Sequence, residues 1–175
     1  MRQSETTYIR FEDIEAQVAH CYFLFHERFL RNPRLSQFWL EMALQELQHS
    51  AMLHFCREHG CMAEAEINVN ASRKAEQLLD VIKGVATDPD VSMDEALYAS
   101  LLVESSELED VYEKLTTALK DHNEPLYKAI HKNLQAHQDT FAEAAAKFAS
   151  RPALVRAFKL LRSASTLNGL QDENE

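Results

Sequence analysis

Four long segments of the chain carry apolar residues at alternating steps of three and four, and only 3 glycines and 4 prolines are present to interrupt them. A chain so poor in turn formers has little with which to build a many-stranded sandwich or barrel, and helices are what remain. The first segment spans about residues 7–31, with Tyr8, Phe11, Glu15, Val18, Tyr22, Phe25 and Phe29 on one side. Asn32-Pro33 breaks it, and Asn32 can cap the next helix with Pro33 in its first turn. The second segment reaches about residue 59, where Gly60 is a natural end, along Leu35, Trp39, Met42, Glu46, His49, Leu53 and Cys56. The third opens at Ser92-Met93-Asp94-Glu95, a capping box, and runs to about residue 120 along Leu97, Leu101, Glu104, Leu108, Val111 and Leu115. After a turn at 121–124, Pro125 opens the fourth, with Ile130, Leu134, His137, Phe141, Ala144 and Phe148 on one face.

Short turns make the helices of each pair antiparallel. Residues 61–91 form a long connection that holds one shorter helix, about 71–83, ended near Gly84 and followed by a loop at 87–90. That connection lets the third helix start at the far end. The expected architecture is therefore all-α: a four-helix bundle with one long crossover between helices two and three, plus a short C-terminal helix at about 152–162. One domain over residues 1–162 is expected, followed by a flexible acidic tail at 163–175.

Each stripe is apolar except at its middle, where Glu15, Glu46 with His49, Glu104, and His137 stand. An ionised carboxylate buried alone costs several kcal/mol or more, so three helices would not each bury one by accident. A cation between facing carboxylates removes both their repulsion and their isolation. Glu46 and His49 lie three apart on one helix face and can grip one metal together. Depth agrees as well. Glu15 lies 18 residues before Pro33, and Glu46 and His49 lie 13 and 16 after it. Glu104 lies 19 before Asn123, and His137 lies 14 after it. At about 1.5 Å rise per residue, these levels coincide within roughly two turns. The nearest cationic side chains, Arg10, Arg28 and Lys114, fall off the stripes.

Charge narrows the partners. With 28 acidic against 18 basic residues, a net charge of −10 repels phosphate backbones and concentrates metal cations, so no nucleic-acid partner is expected. Cys21, Cys56 and Cys61 cannot all pair within one chain and form no Cys-x-x-Cys clip. The first ten residues carry no apolar h-region, and no apolar run approaches the ~20 residues that span a bilayer. A cytoplasmic protein with no membrane partner is the expectation. No phosphate-binding loop, dinucleotide fingerprint or nucleophile elbow is present.

Over residues 7–149 the pattern resembles the rubrerythrin branch of the ferritin-like di-iron carboxylate proteins. In that family the first and third helices each supply a Glu, and the second and fourth each supply Glu-x-x-His. The matching residues are Glu15 followed by Tyr22, Glu46-Leu47-Gln48-His49, Glu104-Ser105-Ser106-Glu107 with Tyr112 after it, and His137 followed by Phe141. The fourth motif is broken, because its Glu position holds Leu134, and the Cys-rich iron domain of full rubrerythrins is missing.

The resemblance implies a ligand set of Glu15, Glu46, His49, Glu104 and His137, with Glu107 as a sixth, and Tyr22 and Tyr112 close behind the ligands. It implies iron, as two ions or one, with zinc or manganese as alternatives, and reduction of peroxide or dioxygen fed by an external electron donor. A homodimer is expected. Leu134 leaves three outcomes open: Glu107 swings in, one metal remains on Glu15, Glu46 and His49, or the site is vestigial. The alternative function is a non-catalytic or iron-handling ferritin-like metal-binding or scaffold protein with a degenerate site. Gln138, one turn beyond Leu134, reads as a flank residue, and His26 as too distant to join the site.

Overall fold

The computed structural model describes residues 3–60, 69–107, 119–120 and 123–171, and every regular element among them is a helix. Helix α1 spans Gln3–Arg28 and α2 spans Pro33–Glu58; α3 spans Val69–Thr87 and α4 spans Met93–Glu107; α5 spans Glu124–Phe148 and α6 spans Pro152–Gln171. None of them is long and apolar enough to cross a membrane.

The ends follow local chemistry. Asn32 is extended, and its side chain accepts from the Leu35 amide at 3.4 Å while Pro33 opens α2. Gly60 follows the end of α2 at φ +69, the left-handed conformation that spares a side chain its steric cost. The capping box forms as read: the Ser92 amide donates to Glu95 Oε2 at 2.9 Å and the Glu95 amide to Ser92 Oγ at 3.3 Å. Asn123 caps α5 by accepting from the Leu126 amide at 3.1 Å.

Four ends differ from expectation, the first being the start of α1, which lies at Gln3 rather than near residue 7. Helix α1 stops at Arg28, with the Asn32 amide turned back to the Phe29 carbonyl at 2.8 Å. Helix α3 runs through Gly84 to Thr87, because its buried stripe of Ala75, Leu79, Ile82 and Ala86 continues past the glycine; Asp88-Pro89 ends it. Helix α6 passes Arg162 to Gln171 rather than giving way to a tail at Ser163, since no proline or glycine intervenes before Gly169. The expected course of the third helix between 108 and 118, Leu108, Val111 and Leu115 with it, lies outside the described residues.

Cross-helix contacts give the directions. Glu12 meets Ser50 and Arg57, while His26 meets Ser36, so α1 and α2 form an antiparallel hairpin. Arg10 pairs with Glu76 and Gln17 with Lys83, so α3 runs alongside α1 in the same direction. The connection between α2 and α4 is thus mostly helix, and it returns the chain to the end where α2 began. Asp94 meets Ser150, and Glu104 meets His137, so α4 and α5 are antiparallel. Trp39 and Glu46 of α2 meet Phe141 and His137 of α5 in reverse order, and Phe158 of α6 stacks on Phe141 with ring centroids 5.2 Å apart.

An aromatic layer fills one side of the centre. Tyr22, Phe25, Phe38, Trp39, Phe141 and Phe158 are all buried, and neighbouring rings sit 4.7–6.4 Å apart at tilted, stacked and edge-on angles. Each fully buried ring contributes about 1.5–3 kcal/mol. The layer anchors α1, α2, α5 and α6 against one another, and it fixes the height at which the polar residues of α1, α2 and α5 face inward.

Candidate metal centre

The polar interruptions of the stripes are buried. Glu46 is 0% exposed, Glu15 1%, Glu104 and His137 3%, and His49 4%. Helical spacing places each inward: Glu15 follows Phe11 and precedes Val18, Glu46 follows Met42, and His137 precedes Phe141, all of them core positions.

These five residues form one connected chain. Glu15 Oε2 lies 4.0 Å from His49 Nδ1. His49 Nδ1 lies 3.1 Å from Glu46 Oε2, and Glu46 Oε1 lies 3.2 Å from His137 Nε2. His137 Nε2 is 2.8 Å from Glu104 Oε2, and the Tyr22 hydroxyl donates to Glu104 Oε1 at 2.7 Å. Glu46 is therefore the middle of the centre, with one imidazole on each of its oxygens. The ligand atoms of Glu46, His49 and His137 all lie within 4.8 Å of one another, so this buried trio could hold a metal ion.

Its electrostatics favour a cation. Burial first, and the neighbouring charge of His137 second, push the His49 imidazole well below its ordinary value of 6.5. At neutral pH His49 is uncharged: it brings a lone pair and no positive charge. Three carboxylates are then gathered with no positive charge from His49 to offset them. Arg10 is engaged with Glu76 and Arg28 is exposed, so neither reaches inward; Lys114 lies outside the described residues. A donor set of carboxylate oxygens and imidazole nitrogens, gathered from four helices and short of positive charge among the described residues, is of a kind that could hold a metal ion.

Glu15, Glu46, His49, Glu104 and His137 thus come together. Glu107 is the last residue of α4, and its side chain, like Tyr112, lies outside the described residues. Tyr22 is in contact with Glu104 through its hydroxyl. His26 is engaged with Ser36 Oγ at 2.8 Å and does not join the centre.

Two features differ from the reading of the stripes. Leu134 is half-buried at the edge of the core rather than filling it. Gln138 is no flank residue: it is 3% exposed, and neither end of its amide has a hydrogen-bond partner among the described residues. The buried arc of α5 is wider than one stripe, because Ala142 and Ala145 are buried beside Phe141 and Ala144. Small alanines let neighbouring helices close over Gln138.

Gln45 lies off the apolar stripe of α2 and still reaches the centre. Its amide oxygen lies 2.9 Å from His137 Nδ1, across the interface between α2 and α5. Adjacency to Glu46 was the only signal available, since which helix Gln45 would face depends on packing. No family model, curated protein or solved structure matches the chain.

Proposed function

We propose that the protein is a rubrerythrin-like, iron-dependent oxidoreductase that reduces peroxide or dioxygen at this centre, within a ferritin-like bundle. The observation that carries the reading is the buried Glu46 carboxylate with His49 on one oxygen and His137 on the other. Glu15 and His49 would hold iron on one side of Glu46, and Glu104 and His137 on the other. Bound iron would supply electrons and polarise the O–O bond of the substrate.

The chain's own groups do the rest. The three carboxylates come from three helices, so each can shift to follow charge without moving the others. Tyr22 holds one oxygen of Glu104 and leaves the other facing His137. Beside them the aromatic layer excludes water and lowers the local dielectric, which strengthens every charge interaction in the centre. Cys21 is buried and its thiol is pushed up to about 11 by desolvation, so it is a poor internal reductant. Electrons would come from an external donor.

Leu134 favours one further reading, an iron-handling or non-catalytic metal-binding protein, because a half-buried leucine stands where a second bridging carboxylate would be. One experiment separates them. Metal analysis of protein purified without a chelating tag, followed by anaerobic ferrous titration and then peroxide, should show iron bound and peroxide consumed with turnover under an added reductant. Iron uptake without turnover selects the second reading. No uptake of any transition metal removes both.

A further inference from the structure

The two imidazoles of the centre are held differently. His49 turns Nδ1 toward Glu46, its neighbour three residues earlier on α2, at 3.1 Å. The residue three before His137 is Leu134, which offers no acceptor. His137 instead turns Nε2 inward, to Glu46 at 3.2 Å and Glu104 at 2.8 Å, and sends Nδ1 across to Gln45 at 2.9 Å. With an amide oxygen as acceptor, Nδ1 carries the proton, and Nε2 is the nitrogen left to face the two carboxylates. A histidine's metal-facing nitrogen is set by the hydrogen bond that the other nitrogen makes.

We infer that Gln45 is a positioning residue for the metal centre. It fixes the tautomer and ring orientation of His137, so that the centre is entered by Nδ1 of His49 and by Nε2 of His137. The inference rests on the metal-centre reading above and adds an asymmetry to it. His49 has Glu46 on the nitrogen it turns inward, whereas His137 has Gln45 on the nitrogen it turns away from the centre. Gln45 also ties α2 to α5 at the level of the centre. Since Nε2 lies further out along the ring than Nδ1, α5 can stand back from Glu46 and still present a ligand.

The test uses the whole chain, labelled with 15N at histidine and loaded with zinc. Long-range 1H–15N spectra should show His137 bound through Nε2 with a proton on Nδ1, and His49 bound through Nδ1. Calorimetric zinc affinity should fall about 10- to 100-fold in Gln45→Leu, the loss expected when an outer hydrogen-bond partner of a ligand is removed. Gln45→Glu, which keeps an acceptor at the same reach, should stay within a few-fold of the parent and keep the His137 signature. Three results overturn the inference while leaving the metal centre standing: His137 bound through Nδ1 in the parent, Gln45→Leu with parental affinity and spectrum, or a loss that Gln45→Glu does not restore. A parent chain that takes up no zinc removes the metal centre itself and this role with it, so the two failures are told apart.

Discussion

The half of the centre built from α1 and α2 and the half built from α4 and α5 solve one problem by different means. In the first, Glu46 and His49 share a helix face, and the orienting contact is three residues long. In the second, Leu134 breaks that local pair, and His137 is held by groups from two other helices, Gln45 and Glu104. Glu104 in turn is held by Tyr22 of α1. A local pair survives any change in helix packing, whereas a cross-helix network exists only when four helices are in register. The second half should therefore be the more easily disrupted, and the first the tighter pocket.

The largest expected effect comes from removing what the halves share. Glu46→Gln should lower iron affinity by more than about 100-fold, beyond the loss of an outer partner. The same change should stabilise the metal-free protein by about 1 kcal/mol, since a buried carboxylate that repels two others is neutralised. Opposite movements of iron affinity and of the metal-free Tm would bear this out. A metal-free protein that is instead weakened would show that Glu46 holds the fold as an acceptor rather than as a strained ligand.

Making the halves alike is the next test. Leu134→Glu restores a Glu-x-x-His ending at His137 and should raise iron affinity and peroxide consumption above the parent. Without metal it places a carboxylate at a half-buried position, at a cost of about 1–2 kcal/mol. A variant that is destabilised yet binds no more iron would mean that position 134 does not reach the centre.

Tyr22→Phe tests the cross-helix network alone. Glu104 loses a buried hydroxyl donor, and denaturant unfolding of the metal-free protein should show a loss of about 1.5–3 kcal/mol. The same change should weaken a second equivalent of iron more than the first. Equal weakening of both equivalents would argue against two distinct halves.

The smallest effect concerns pH and belongs to the first half. His49 is held below its ordinary value of 6.5 in the folded protein, so the unfolded chain binds the proton more readily. Its contribution to stability is complete above about pH 6.5 and falls away as the pH drops below that value. Metal-free protein should lose stability on acidification from pH 7 to 5, and His49→Gln should flatten that slope. An unchanged slope would place the titration elsewhere.

Much of this molecule is legible locally. Caps at Asn32 and Ser92, the opening at Pro125 and the stop at Gly60 are written in two to four residues each, because they suit the backbone groups at helix ends. The five polar interruptions are legible too, since helical period alone puts Glu15, Glu46, His49, Glu104 and His137 among core residues. Short links and a long connection were enough to place all five at one depth. What periodicity leaves undefined is rotation: it says which face turns inward, not which neighbour that face meets. Only packing decided that α3 lies along α1, that Gln138 is enclosed, that Leu134 sits at the edge of the core, and that His137 presents Nε2. Gln45 shows why. It is an ordinary amide beside Glu46 until α5 comes within 2.9 Å, and no pattern within either helix encodes that distance.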